Sequence, residues 1–287
     1  VEKVISRKDM NGISVISELY DKITTDFSFK FKPKGKEIIY HNVEELKKHI
    51  YSANDEERKA AYEALFEPYK NQKEVLFTIY SSLVRDWGVE KELRKYKSPI
   101  NVRNVDNDLR DEVINTLIDV CVKNRKIYQD FFKLKAKAIG KKKLNRTDFY
   151  APLKESKKKY SFEEGKEIVF DVYNNFHPEF AKKAELLFKE GHIDSHPRKN
   201  KGTGAFCISV SGGINPYVML NHTGTLRDVS TIAHELGHAI HDIYTHHLPQ
   251  SVSHAAVPLC ETASTFCELL LAEALFEKVS KEERKEM

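Results

Sequence analysis

Cysteine is scarce here, and nothing in the sequence is organised to cross-link it. Cys121, Cys207, Cys260 and Cys267 are the four cysteines of 287 residues. They are too few for a disulfide scaffold, and no Cys-x-x-Cys pair offers a thiolate metal site. A reducing, cytoplasmic setting is the expectation. Long apolar runs are missing as well: no window approaches the roughly 20 residues that a membrane-spanning helix needs, and the N-terminal VEKVISRKDMNG has no signal-peptide core. A soluble protein with no membrane partner is expected. Neither internal repeats nor low-complexity tracts occur. Charge of one sign is lacking too, since 47 Lys and Arg face 43 Asp and Glu for a net charge of +4. That balance gives no reason to expect nucleic-acid binding, and the lysine-rich stretch 134–159 reads as solvated surface.

What is present is enough apolar material, 40% of the residues, for one large domain or two smaller ones. From 43 to 140 the pattern is helical. Asn42 with Glu45, and Asn54 with Glu57, stand at capping-box spacing, and Tyr62, Leu65, Phe66 and Tyr69 make an apolar stripe. Val113, Leu117, Val120 and Val122 mark another helical run, with Gly140 as its stop. Residues 141–160, with Pro152 and many lysines, read as an exposed connection between two lobes. Ser161 with Glu164 caps a helix to about Phe176, and Phe180 to Phe188 continues after Pro178. The chain begins without Met and stops in SKEERKEM, inside a charged helical pattern, so a fragment of something longer is expected.

The texture changes once, between about 191 and 224. GAFCISV and PYVMLN are β-prone runs around SGGIN, the signature of a hairpin or two neighbouring strands. Helical periodicity resumes at Thr225, where Leu226, Val229, Ile232, Leu236, Ile240 and Ile243 step by three or four over about five turns. The architecture is mainly α with one small β element before this helix.

That helix carries DVSTIAHELGHAIHDIY, residues 228–244. Residues four apart share a helix face, so His234 and His238 can address one ion, while Glu235, rotated by about 100°, can face a water beside it. This is the His-Glu-x-x-His arrangement, with the glutamate as general base. Two imidazoles and a carboxylate in an apolar helix carry a desolvation cost that coordination offsets. Gly237 costs about 1 kcal/mol against Ala in a helix interior, which makes sense if something approaches the backbone there. The extended pattern with glycine at 241 and histidine at 244 is excluded by His241 and Tyr244.

A third donor must then come from elsewhere, because a catalytic zinc takes three protein ligands and leaves one position open. In PLCETASTFCELLLAEALF, Glu261 and Glu268 share a face of a second helix that can pack antiparallel on the first. One would bind the ion and the other could hydrogen-bond a ligand histidine; spacing alone does not rank them. Cys260 and Cys267, two turns apart, read as small buried hydrophobes. His246 and His247 read as loop residues, while His241 and His254 could line a cleft.

NPYVMLNHTGTLRDVSTIAHELGHAIH followed by PLCETASTFCELLL closely resembles the oligoendopeptidase F branch of the thimet-oligopeptidase-like zinc metallopeptidases. KGTGAFCIS, TDFYAPL, LRKYKSPINVRNV and DEERKAAYEALF extend the likeness over nearly the whole chain. The resemblance implies a multi-helix, two-lobed fold with a β element beside the motif helix, a helical lobe at 1–150 and a catalytic lobe at 151–287 that is incomplete at its C-terminus. It makes His234, His238 and Glu261 ligands of one Zn2+ and Glu235 the catalytic base, which leaves the supporting place beside a ligand histidine to Glu268. Short peptides are the implied substrates, met as an added strand at Gly204, Ala205 and Phe206. The family's oxyanion-stabilising histidine and tyrosines lie beyond this sequence, so a missing C-terminal segment or a second chain would complete the site. Two other readings stand beside it: a zinc amidohydrolase of non-peptide amides, and an inactive metal-binding fragment.

Overall fold

The computed structural model describes residues 2–153, 158–210, 213–278 and 284. They divide into two compact units, Val1–Ala151 with Lys199–Gly202, and Pro152–Arg198 with Thr203–Met287. Part of the expected connection (154–157), part of the SGGIN loop (211 and 212) and nearly all of the charged C-terminal run fall outside the described residues. No helix among the described residues is long and apolar enough to cross a membrane.

In the first unit, α1 (Glu2–Asn11) and α2 (Ile13–Thr25) precede β1 (Phe29–Phe31) and β2 (Ile38–Tyr40). α3 (Val43–Lys47), α4 (Asp55–Asn71), α5 (Lys73–Leu93), α6 (Pro99–Asp106), α7 (Asp111–Lys123) and α8 (Arg125–Ala138) follow. The strands pair antiparallel, Phe29 opposite Tyr40, and correct the expectation of a single β element. Three residues per strand are too few to reveal a period of two. Phe29 and Phe31 alternate inward past Lys30 and join Val43, Leu46, Ile50, Ala61 and Tyr62 in the core of this unit.

The stretch 43–140 is more broken than its periodicity predicts. Gln72 and Asn124 leave helical geometry and split the two long patterns into α4 with α5 and α7 with α8. Neither capping box forms as the spacing predicts. Asn42 accepts from the Glu44 amide rather than that of Glu45; Asn54 does accept from Glu57, whose carboxylate is taken by His49 Nδ1 at 2.6 Å and Ser52 Oγ at 2.8 Å. Phe66 and the stripe Val113, Leu117, Val120 and Val122 are exposed. Gly140, two residues past α8, has the positive φ (72°) of a helix stop.

The second unit follows its sequence signals closely. α9 (Phe162–Phe176) begins at the reciprocal Ser161–Glu164 box, and α10 (Pro178–Lys189) has Pro178 at its first position. β3 (Ile193–Asp194), β4 (Phe206–Ile208) and β5 (Tyr217–Met219) form a three-stranded sheet in the order β3-β5-β4. β4 pairs antiparallel with β5, Phe206 opposite Met219, and β3 pairs parallel with β5. α11 (Leu226–Thr245), the short α12 (Gln250–Ser253) and α13 (Val257–Lys278) complete the unit.

α11 starts at a second reciprocal box, Thr225 with Asp228, and the Asp228 carboxylate also accepts from the amide and hydroxyl of Thr223. Such a cap is worth about 0.5–2 kcal/mol and fixes where the helix begins. Its apolar face, including Val229, Ile232, Leu236, Ile240 and Ile243, packs with Val169, Val172 and Tyr173 of α9 and with Cys267, Leu271 and Leu275 of α13. Gly237 lies where α11 meets α13: a Cβ there would stand 2.9 Å from both the Ala263 carbonyl oxygen and the Ser264 Cα. The close backbone approach anticipated from this glycine is that of the neighbouring helix. Gly237→Ala should therefore lower stability by about 1–3 kcal/mol in urea unfolding despite its better helix propensity; an unchanged or raised midpoint would contradict this packing.

Candidate metal centre

α11 and α13 bring four of the residues singled out above to one place. The rings of His234 and His238 lie edge to face with centroids 4.8 Å apart. Glu261, in the second turn of α13, directs Oε2 at both of them, 3.4 Å from His234 Nε2 and 3.6 Å from His238 Nε2. The donor atoms of these three residues all lie within 4.8 Å of one another. Glu268, two turns further along α13, occupies the other side of His234, where the imidazole Nδ1–H donates to Oε1 at 2.5 Å. The two glutamates that spacing could not rank thus take different places: one beside the Nε2 atoms, the other behind one ring.

Glu235 is buried on the same helix. Burial pushes its carboxyl up to about 7; the His234 imidazole pulls the other way, and the carboxylates of Glu261 and Glu268 add to the rise. His238 is held below the usual imidazole value, first by burial and then by His234. Both shifts have the sign expected for groups removed from water.

Other expected residues fall nearby or away. Gly204 (φ 75°) and Phe206 are exposed and Ala205 is half-buried; β4, which begins at Phe206, is an edge strand of its sheet. β4 is fastened to α11 by Asp242, one turn beyond His238, whose Oδ2 accepts from Ser209 Oγ and from Cys207 Sγ at 3.9 Å. Cys267 is buried and Cys260 half-buried, and all four cysteines are free. His247 and His254 are exposed, His246 is half-buried at the end of α11, and the buried Nδ1 of His241 has no hydrogen-bond partner among the described residues.

Two supporting side chains escape the sequence reading. Buried Tyr173 on α9 donates its hydroxyl to the Ala233 carbonyl at 2.7 Å, holding α11 one residue before the first histidine. Ser264 on α13 donates to Glu261 Oε2 at 2.8 Å. The second had a readable signal, a hydroxyl residue three positions after a glutamate on one helix face. The first is a contact over 60 positions of sequence with no local trace.

The model of peptidase family M3 matches residues 48–287. The chain belongs to peptidase family M3. Among curated M3 relatives, oligopeptidase PepF of Bacillus subtilis (strain 168) is 28% identical over 210 residues, covering 72% of this chain and 31% of that protein. An oligoendopeptidase F homolog of Lactococcus lactis subsp. lactis (strain IL1403) is 28% identical over 205 residues, covering 70% of this chain and 33% of its own length. The chain thus spans about a third of these M3 proteins. A Bacillus anthracis str. Ames crystal structure assigned as an oligoendopeptidase F superposes with a TM-score of 0.80 at 18% identity, over 93% of this chain and 50% of that one. The mainly helical fold is shared with that structure.

The raised carboxyl of Glu235 has a measurable consequence in metal-free M3 protein. Between about pH 4.5, the ordinary value, and about pH 7 the folded carboxyl keeps a proton that the unfolded chain has released. The unfolded state then binds fewer protons, so this group lowers stability as pH rises through that window. Replacing Glu235 with Gln should make the protein more stable relative to wild type as pH goes from 5 to 7.5 in EDTA. A difference independent of pH would show that the carboxyl titrates normally.

Proposed function

We propose that His234, His238 and Glu261 hold one Zn2+ and that Glu235 is the general base of an endopeptidase acting on short peptides. The observation that carries this reading is the spacing of the donors. Zinc bonds of about 2.0–2.2 Å at tetrahedral angles place neighbouring ligand atoms roughly 3.4 Å apart. The two Nε2-to-Oε2 separations, 3.4 and 3.6 Å, suit that edge and are longer than the roughly 2.9 Å of an ordinary N–H···O bond. Because Nδ1 of His234 is turned to Glu268, Nε2 is the ring nitrogen left to face Glu261. Two imidazole nitrogens and a carboxylate oxygen converging at these separations suit a cation in their midst.

When bound, the ion supplies Lewis acidity, polarising a peptide carbonyl and lowering the pKa of water to about 7. The chain supplies the rest. Glu235 takes a proton from water as its oxygen bonds to the carbonyl carbon, then returns the proton to the amine as the C–N bond breaks. Glu235 is placed for both transfers because it is buried on α11, one residue from His234 and rotated away from the donor atoms. The outer edge of β4, which begins at Phe206 just after Ala205, offers backbone groups to an extended peptide, while the carbonyl of the preceding Gly204 accepts from Asn221 Nδ2 at 2.9 Å. Family membership and the names of the curated relatives support peptide cleavage. Oxyanion donors would come from a C-terminal segment or a second chain, and without them turnover should fall about 100- to 1000-fold.

Purified protein should carry close to one zinc per chain and cleave a quenched-fluorescent peptide in a single-turnover assay. Glu235→Gln should keep the zinc and lose the cleavage. Glu261→Ala should release zinc to a chelator about 10-fold or more faster. Loss of zinc in the first variant, or unchanged release in the second, would overturn the assignments.

A further inference from the structure

Glu261 is an unusual residue to rely on for a fixed position. Its side chain is 48% exposed, and a glutamate has three torsions to restrict, so holding it where Oε2 faces both imidazoles has an entropic cost. Ser264 answers that cost. It is fully buried, one turn further along α13, and its Oγ lies 2.8 Å from Glu261 Oε2, the same oxygen that faces His234 and His238. Its other acceptor, the Glu261 backbone carbonyl, is more distant at 3.1 Å. A helical serine ordinarily returns its hydroxyl to the backbone three or four residues earlier; here the carboxylate is the nearer acceptor, and a hydrogen bond to a charged oxygen is the stronger of the two.

Ser264 itself has little freedom to move. Its Cα stands where a Cβ on Gly237 would meet it at 2.9 Å, in the closest part of the α11–α13 approach. The hydroxyl is therefore anchored to the backbone that also carries the histidines. We propose that Ser264 is a positioning residue: it locks the Glu261 carboxylate so that one oxygen, Oε2, is presented to the pair of Nε2 atoms before any ion arrives. This rests on the zinc reading above and adds to it a specific reason for tight retention. With Glu268 accepting from the His234 ring behind it and Ser264 donating to Glu261, two of the three donors are oriented by a hydrogen bond with a residue of α13.

The test is zinc affinity by competition with a chromophoric chelator, in wild type, Ser264→Ala, Glu261→Ala and the double variant. Alanine fits the serine site and keeps helix propensity, and unchanged urea unfolding of the metal-free variant checks that the fold is intact. Loss of an outer hydrogen-bond partner typically weakens metal binding about 10- to 100-fold, and that is the expected effect of Ser264→Ala in the wild-type background. In the Glu261→Ala background the same change should have almost none, because the hydroxyl then has no carboxylate to hold. Wild-type affinity in Ser264→Ala, or an equal loss in both backgrounds, overturns the proposal. Failure of the wild type itself to bind zinc would instead sink the metal reading on which it stands.

Discussion

The site depends on how closely two helices approach. At Gly237 the backbones of α11 and α13 come near enough that a methyl group would collide with main-chain atoms of Ala263 and Ser264. Donors on one helix are then within reach of donors on the other without long side chains stretching across a gap. Glu261 meets two imidazoles and Glu268 meets one because the helices are in contact at the residues between them. The apolar face of α11, backed by α9, keeps that contact from sliding, and Tyr173 ties the first helix to α9 through the Ala233 carbonyl.

The polar groups of the site sit at the margin of an apolar core, and their chemistry follows from that location. Glu235 is buried beside two other carboxylates, so its proton is held to near neutral pH. His238, also partly withdrawn from water, resists protonation. Both effects oppose charge in a place where the surroundings solvate it poorly.

What could be read from the sequence was local, and what could not was relational. The start of α11 was legible because apolar residues resume their three-to-four spacing right after Thr225, and the shared face of His234 and His238 follows from helical geometry alone. The choice between Glu261 and Glu268 was not legible from spacing, since it depends on the offset at which two helices touch. Glu57 shows the opposite error: its spacing from Asn54 predicts a reciprocal cap, but His49 and Ser52, brought in by the preceding turn, take its carboxylate. The β1–β2 hairpin escaped because three-residue strands are shorter than any window in which alternation can be recognised. The stripe from Val113 to Val122 was correctly periodic, yet its exposure shows that a pattern specifies a face without specifying what covers it.

The donors are also near one another along the polypeptide. From His234 to Glu261 is 27 residues, so the entropy lost in closing that loop is small and grows only with the logarithm of its length. Low contact order of this kind lets a helical hairpin assemble quickly and locally, ahead of pairings between remote segments. A polypeptide spanning only about a third of its curated relatives nonetheless brings these ligand atoms together. The cluster is therefore modular: one short stretch of chain carries every side chain that composes it.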